Sequence, residues 1–131
     1  MKDVEQAILT YLTERGWDKL RPSDISKSIS IEAAELLELF QWTNQSLEEV
    51  KQNAEQLEKI KKELADVLIY ALDMSVLLGF DTKQIILDKL AYVQKKFPAD
   101  LMKQRAKEGS GSGEDEVYLT IKKQYRQSGQ S

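Results

Sequence analysis

An all-α fold, a bundle of four main helices, follows from three features of this chain. Apolar residues recur at intervals of three and four, as in Val4, Ala7, Ile8, Tyr11 and Leu12, and again in Leu57, Ile60, Leu64, Val67, Leu68, Ala71 and Ser75. Two helix entrances carry the capping-box spacing, Ser46 with Glu49 and Asp81 with Gln84. Glycines stand where the apolar runs stop, at Gly16 and Gly79. Hydrophobic residues make up 41% of the chain and charged residues 31%, the balance of a helix-rich globular domain. With 131 residues there is material for one comfortable core.

The first helix is expected over about Lys2 to Arg15, with Trp17 to Arg21 as a connection. Arg21-Pro22-Ser23-Asp24 reads as the entrance to the second, with Ser23 or Asp24 as cap. That helix runs through Ile25, Ile29, Ala33, Leu36, Leu37 and Phe40 to about Thr43, and Asn44-Gln45 make a turn. A long helical region then extends from Ser46 to Leu78, with a candidate break near Asn53. The fourth helix opens at Asp81 and carries Ile85, Ile86, Leu90 and Val93 as far as Phe97-Pro98, where proline disfavours continuation. Leu101 to Lys107 add a short helical turn or two. The expected domain is 1–108, followed by a flexible Gly/Ser linker at 109–113 and a tail at 114–131. Within the tail, a helix through Val117, Ile121 and Tyr125 is favoured over a short strand at Val117-Tyr118-Leu119.

Composition excludes several chemistries. Cysteine and histidine are both absent, which removes thiol and Ser-His-Asp catalysis, zinc clusters and histidine-ligated iron. A ferritin-like di-iron site normally needs Glu-x-x-His on two helices, so it fails here too. The net charge of −3 argues against binding a nucleic acid polymer. Neither a signal-like apolar amino terminus nor a membrane-length apolar run is present, so a cytoplasmic location away from membranes is expected. Chemistry must run on carboxylates, lysine, arginine, tyrosine and a bound metal.

Two acidic pairs stand out against this background, Glu32-x-x-Glu35 and Glu63-x-x-Asp66. Acids three apart on a helix lie about 60° apart, one turn along, and repel unless something positive sits between them. Most helical acids are solvated and neutralised by lysines four residues away, as Glu48, Glu49, Glu55 and Glu58 are among Lys51, Lys59, Lys61 and Lys62. Glu32, Glu35 and Glu38 have no such cation at three or four positions. Glu63 and Asp66 have lysines only on the weaker, N-terminal side, and an almost wholly apolar stretch follows at residues 67–72. Unpaired charges are rarely buried, and a shared hard dication such as Mg²⁺ resolves both conflicts. On the third helical region Glu63, Asp66, Tyr70 and Asp73 share a sector of roughly 80°, and on the second helix Glu32, Glu35, Leu39 and Trp42 share another. Antiparallel pairing of these faces brings four carboxylates together beside aromatic rings, which suits a metal-bound phosphate chain with a stacked base; plain core packing is the competing use of Trp42 and Tyr70.

The segment Ile31-Glu32-Ala33-Ala34-Glu35-Leu36-Leu37-Glu38-Leu39-Phe40-Gln41-Trp42, followed by Glu63-Leu64-Ala65-Asp66-Val67-Leu68-Ile69-Tyr70, resembles the all-α nucleoside triphosphate pyrophosphatases, within them the MazG-like and dCTP pyrophosphatase-like group. The resemblance extends from about Trp17 to Pro98. It implies the bundle of that family and cleavage of (deoxy)nucleoside triphosphates to monophosphate and pyrophosphate, clearing unwanted dNTPs. It implies Mg²⁺, or Mn²⁺ in its place, held by Glu32, Glu35, Glu63 and Asp66. Trp17, Trp42, Tyr70 and Lys89 would then bind substrate, with Glu35 or Glu38 as the candidate catalytic base. Val93 departs from the pattern, which often has an asparagine four residues after the lysine, so substrate choice is open there. The resemblance also implies a homodimer or homotetramer, and the sequence is compatible with that, since helices apolar all round need more cover than a four-helix monomer offers. The rival readings are a non-catalytic helical binding protein, and the same fold acting on dUTP or a phosphoribosyl nucleotide.

Overall fold

The computed structural model describes residues 1–107 and 116–129, and the described part is helical with turns between. The helices are α1 (Lys2–Glu14), α2 (Pro22–Glu38), α3 (Leu47–Lys51), α4 (Ala54–Leu77), α5 (Thr82–Lys96), α6 (Ala99–Lys107) and α7 (Glu116–Gln127). The tail segment favoured as helix is α7, and the Gly/Ser linker lies outside the described residues. Among the described residues no helix is long and apolar enough to cross a membrane. The chain divides into two compact units, Met1–Lys83 and Gln84–Ser131.

In the first unit α2 and α1 both pack on α4, and the short α3 leans on the same helix. Among the described residues the buried apolar side chains are Ile8 and Leu12 of α1 and Ile25 of α2, with Leu12 only 1% exposed. Of the α1 stripe predicted from periodicity, Ile8 and Leu12 meet the core, while Val4, Ala7 and Tyr11 stay exposed. Both glycine stops behave as expected, at φ 70° for Gly16 and 73° for Gly79. Each completes a Schellman turn. Gly16 N–H donates to the Thr13 carbonyl at 3.1 Å and Trp17 N–H to the Leu12 carbonyl at 2.8 Å. At the end of α4, Gly79 N–H donates to Val76 at 3.1 Å and Phe80 N–H to Ser75 at 2.9 Å. Such a turn folds the residue after the glycine back over the last helical turn, which aims Trp17 at α1.

The break near Asn53 is real. Asn53 caps α4, its side-chain oxygen accepting the Gln56 N–H at 3.1 Å, and Ser46 caps α3 by accepting from Glu49 at 3.2 Å. Two expected boundaries need correction. The second helix is not capped by Ser23 or Asp24; Pro22 occupies its first position, and the Arg21 carbonyl accepts from Asp24 and Ile25 at 3.0 and 3.2 Å. Proline suits that position because its missing N–H would have no intrahelical partner there. The same helix ends at Glu38, where Leu39 and Phe40 tighten into three-residue bonds to Leu36 and Leu37, so Trp42 lies beyond it. The chain must unwind there to reach the extended backbone of the Ser46 cap.

A buried polar contact closes the unit. Ser75 and Thr82 share a 2.6 Å hydroxyl hydrogen bond, and the Thr82 N–H at the start of α5 donates to the Glu5 carboxylate at 3.2 Å. In the second unit Phe97 stacks on Tyr118 at 4.7 Å, and Tyr92 meets Tyr125 edge to face at 5.9 Å. Several large apolar side chains of α2 and α4 stay exposed, among them Ile31, Leu37, Leu64 and Leu68. Truncating the best-buried residue tests the core: Leu12→Ala should lower unfolding stability by about 2–5 kcal/mol in thermal or denaturant melts.

Candidate functional site

The two acidic pairs meet where α2 crosses α4. One carboxylate oxygen from each of Glu32, Glu63 and Asp66 lies within 4.8 Å of the others. Glu35 is in hydrogen-bonding range of both Glu32 and Glu63, so all four acids converge. The helices run antiparallel here. Along α2 the neighbours pass from Ser28 through Glu32 to Glu35, while on α4 they pass from Tyr70 and Asp73 through Asp66 to Glu63. Glu38, one turn further along α2, is exposed and acts on Glu63 only as a weaker, outer charge.

Loss of solvent and like-charge crowding both act on this cluster. Desolvation is the largest cause holding Glu32 above the ordinary glutamate value, with Glu35, Asp66 and Glu63 adding to it. Glu63 is raised the same way, by desolvation first and then by Glu35, Asp66 and Glu38. Its Oε2 is buried with no hydrogen-bond partner among the described residues. A buried oxygen that accepts nothing is costly, and a cation with a preference for carboxylate oxygens removes that cost. The donor set therefore fits a hard divalent cation.

A cavity of about 510 Å³ opens next to the acids, within the usual range of small-molecule sites. Asp66 belongs both to the acidic cluster and to the cavity wall. Tyr11, Trp17 and Tyr70 supply aromatic surface, with Ile8, Leu12, Leu20 and Ile69 around them. Trp17 reaches this wall through its Schellman turn and stands edge-on to Tyr11 at 5.8 Å. Desolvation is the main cause raising the Tyr70 hydroxyl, followed by the charges of Glu32 and Asp73, which places that hydroxyl between the acids and the cavity. Trp42 is not brought here. It is 87% exposed, in the segment between α2 and α3, and does not line the cavity. Lys89 belongs to the second unit, with its ammonium 4.8 Å from the Tyr92 ring. Val93, in the same unit, is half-buried.

Sequence reading missed Tyr11, Leu20 and Ser28 as wall residues. Tyr11 looked like one more member of an apolar stripe, and nothing in its spacing separates a core ring from a cavity ring. The signal for Asp73 was present, since it shares the sector of Glu63 and Asp66, but no role was attached to it.

With this geometry in view, similarity to known proteins is informative. The sequence pattern of the MazG-like family matches residues 27–111. The chain belongs to the MazG-like family. The match includes both acidic pairs, α4 and α2 from Lys27 onward. This MazG-like chain is 27% identical over 105 residues to dCTP pyrophosphatase 1 of Bos taurus, covering 77% of the chain and 61% of that relative. It thus spans less than two thirds of the relative's length. A solved pyrophosphatase from Archaeoglobus fulgidus is 34% identical, with a TM-score of 0.66, over 75% of this chain and 92% of that one. The all-α pyrophosphatase fold expected from the sequence is the fold found.

The raised acids set a pH dependence. The folded chain retains protons on Glu32 and Glu63 that the unfolded chain releases, so the stability they contribute is lost as pH rises from about 4.5 through their raised values. Metal-free melting temperature should therefore fall across that window. Added Mg²⁺ should raise it more at neutral pH than at pH about 4.5, because the cation binds the ionised native cluster. Glu63→Gln should flatten the pH slope and weaken the response to metal, measured by thermal melts.

Proposed function

We propose that this chain is a Mg²⁺-dependent nucleotide pyrophosphohydrolase, converting (deoxy)nucleoside triphosphates to monophosphate and pyrophosphate and so clearing unwanted dNTPs. The convergence of Glu32, Glu35, Glu63 and Asp66 beside an aromatic cavity carries this reading. Four bare carboxylates would repel a polyphosphate, so the arrangement makes sense for such a substrate only with divalent cations between the two. Mg²⁺, or Mn²⁺ in its place, would be held by Glu32, Glu63 and Asp66, with Glu35 completing the set or turning toward water. Bound there, the cation supplies Lewis-acid neutralisation of phosphate charge. The pyrophosphatase relatives, by sequence and by structure, support the same chemistry.

The remaining roles belong to side chains. Glu35 accepts the proton of the attacking water as the phosphoanhydride bond breaks and pyrophosphate leaves. Glu38, at the outer edge, tunes the cluster through its charge. Trp17 and Tyr11 take the base against their rings, and Tyr70 sits beside the nucleotide between base and phosphates. Trp42 meets the substrate from outside the cavity wall. A homodimer or homotetramer covers exposed Ile31, Leu37, Leu64 and Leu68.

Pyrophosphate release from a panel of triphosphates, with and without Mg²⁺, tests the reading. Wild-type activity should vanish without metal, and Glu35→Gln should lower kcat by about 100-fold or more. A folded sample that turns over no triphosphate would overturn the assignment.

A further inference from the structure

Asp73 lies two helical turns beyond Asp66 on α4, in the wall of the cavity, and is only 3% exposed. Its Oδ1 accepts no hydrogen bond among the described residues. This acid is not part of the metal cluster, which consists of Glu32, Glu63 and Asp66. Burying an acceptor without a donor is destabilising, and neighbouring Ser75, buried at 5%, shows the alternative by bonding Thr82. The cavity surface around Asp73 is mostly apolar or aromatic, from Tyr11, Leu12, Ile69 and Tyr70. A ligand that fills the cavity lined by Asp73 can bring the missing donor.

Position along the helix narrows what that donor is. Seven residues separate Asp66 from Asp73, about 10.5 Å along the helix axis. With phosphates at the Asp66 end and the sugar beside Tyr70 between them, the Asp73 carboxyl faces the far edge of the base. We propose that Asp73 is a specificity-determining residue that accepts a hydrogen bond from the exocyclic amino group of the substrate's base, selecting amino-bearing bases over their oxo counterparts. An oxo group in the same place points a lone pair at an acceptor and leaves both desolvated. Burial also holds the Asp73 carboxyl above its ordinary value. The selection belongs to the ionised carboxylate, which can only accept, whereas a protonated carboxyl also donates to an oxo group.

This inference rests on the nucleotide reading above, and the experiment separates the two. Paired substrates differing at one exocyclic group, dCTP against dUTP and dATP against dITP, are compared by kcat/KM in wild type, Asp73→Ala and Asp73→Asn. The monophosphates dCMP, dUMP, dAMP and dIMP are compared in parallel by equilibrium binding. Wild type should favour the amino member of at least one pair by about tenfold or more. In Asp73→Ala that ratio should collapse to within about threefold of unity, chiefly through loss on the amino substrate, while Asp73→Asn, which keeps an acceptor, retains part of it. Both substitutions suit a helix interior and remove a desolvated acid, so folding should survive, as checked by thermal melts. Hydrolysis with no preference in either pair, or equal losses on both members in Asp73→Ala, would overturn the assignment of Asp73 and leave the hydrolase reading standing. Absence of hydrolysis with amino-selective binding of monophosphates would do the reverse.

Discussion

Crowding of carboxylates at the α2–α4 crossing is the constraint around which this molecule is organised. Helix spacing puts each pair on one face, and packing of the two helices presses the faces together. Glu32 and Glu63 lose water and gain like-charged neighbours, both of which disfavour ionisation. Hydrophobic contact elsewhere in the crossing must hold the helices together against that repulsion. The packing energy of α1, α2 and α4 thus keeps an acidic cluster assembled that the chain would otherwise push apart.

The cavity depends on a more local device. Gly16 adopts a positive φ, the Schellman turn reverses the chain, and Trp17 comes to rest against Tyr11. One backbone conformation at one residue thereby converts the end of α1 into an aromatic wall. The opposite wall comes from α4, whose Asp66, Ile69, Tyr70 and Asp73 recur at helical spacing. Groups of the acidic cluster and of the cavity wall are therefore carried on one helix, which holds their separation constant.

Exposed Ile31, Leu37, Leu64 and Leu68 have the opposite character. They belong to the same two helices as the acids.

Local chemistry made much of the molecule legible beforehand. The three-and-four apolar rhythm, the Ser46 cap, the break near Asn53 and the glycine stops are short-range effects, so most helices could be placed from residues alone, the two ends of α2 excepted. The acidic pairs were equally plain, because isolated charges in apolar helices conflict with desolvation whatever the fold. Trp42 shows where such reasoning stops. Helical projection carried it onto the face of Glu32 and Glu35, yet α2 ends at Glu38 and the ring is left in solvent. Tyr11 and Asp73 make the complementary point: the one looked like core and the other like a spare acid. Only the packing of α1 against α4 decides that both border a cavity, since enclosure depends on contacts between segments far apart in the chain, and periodicity carries no information about them.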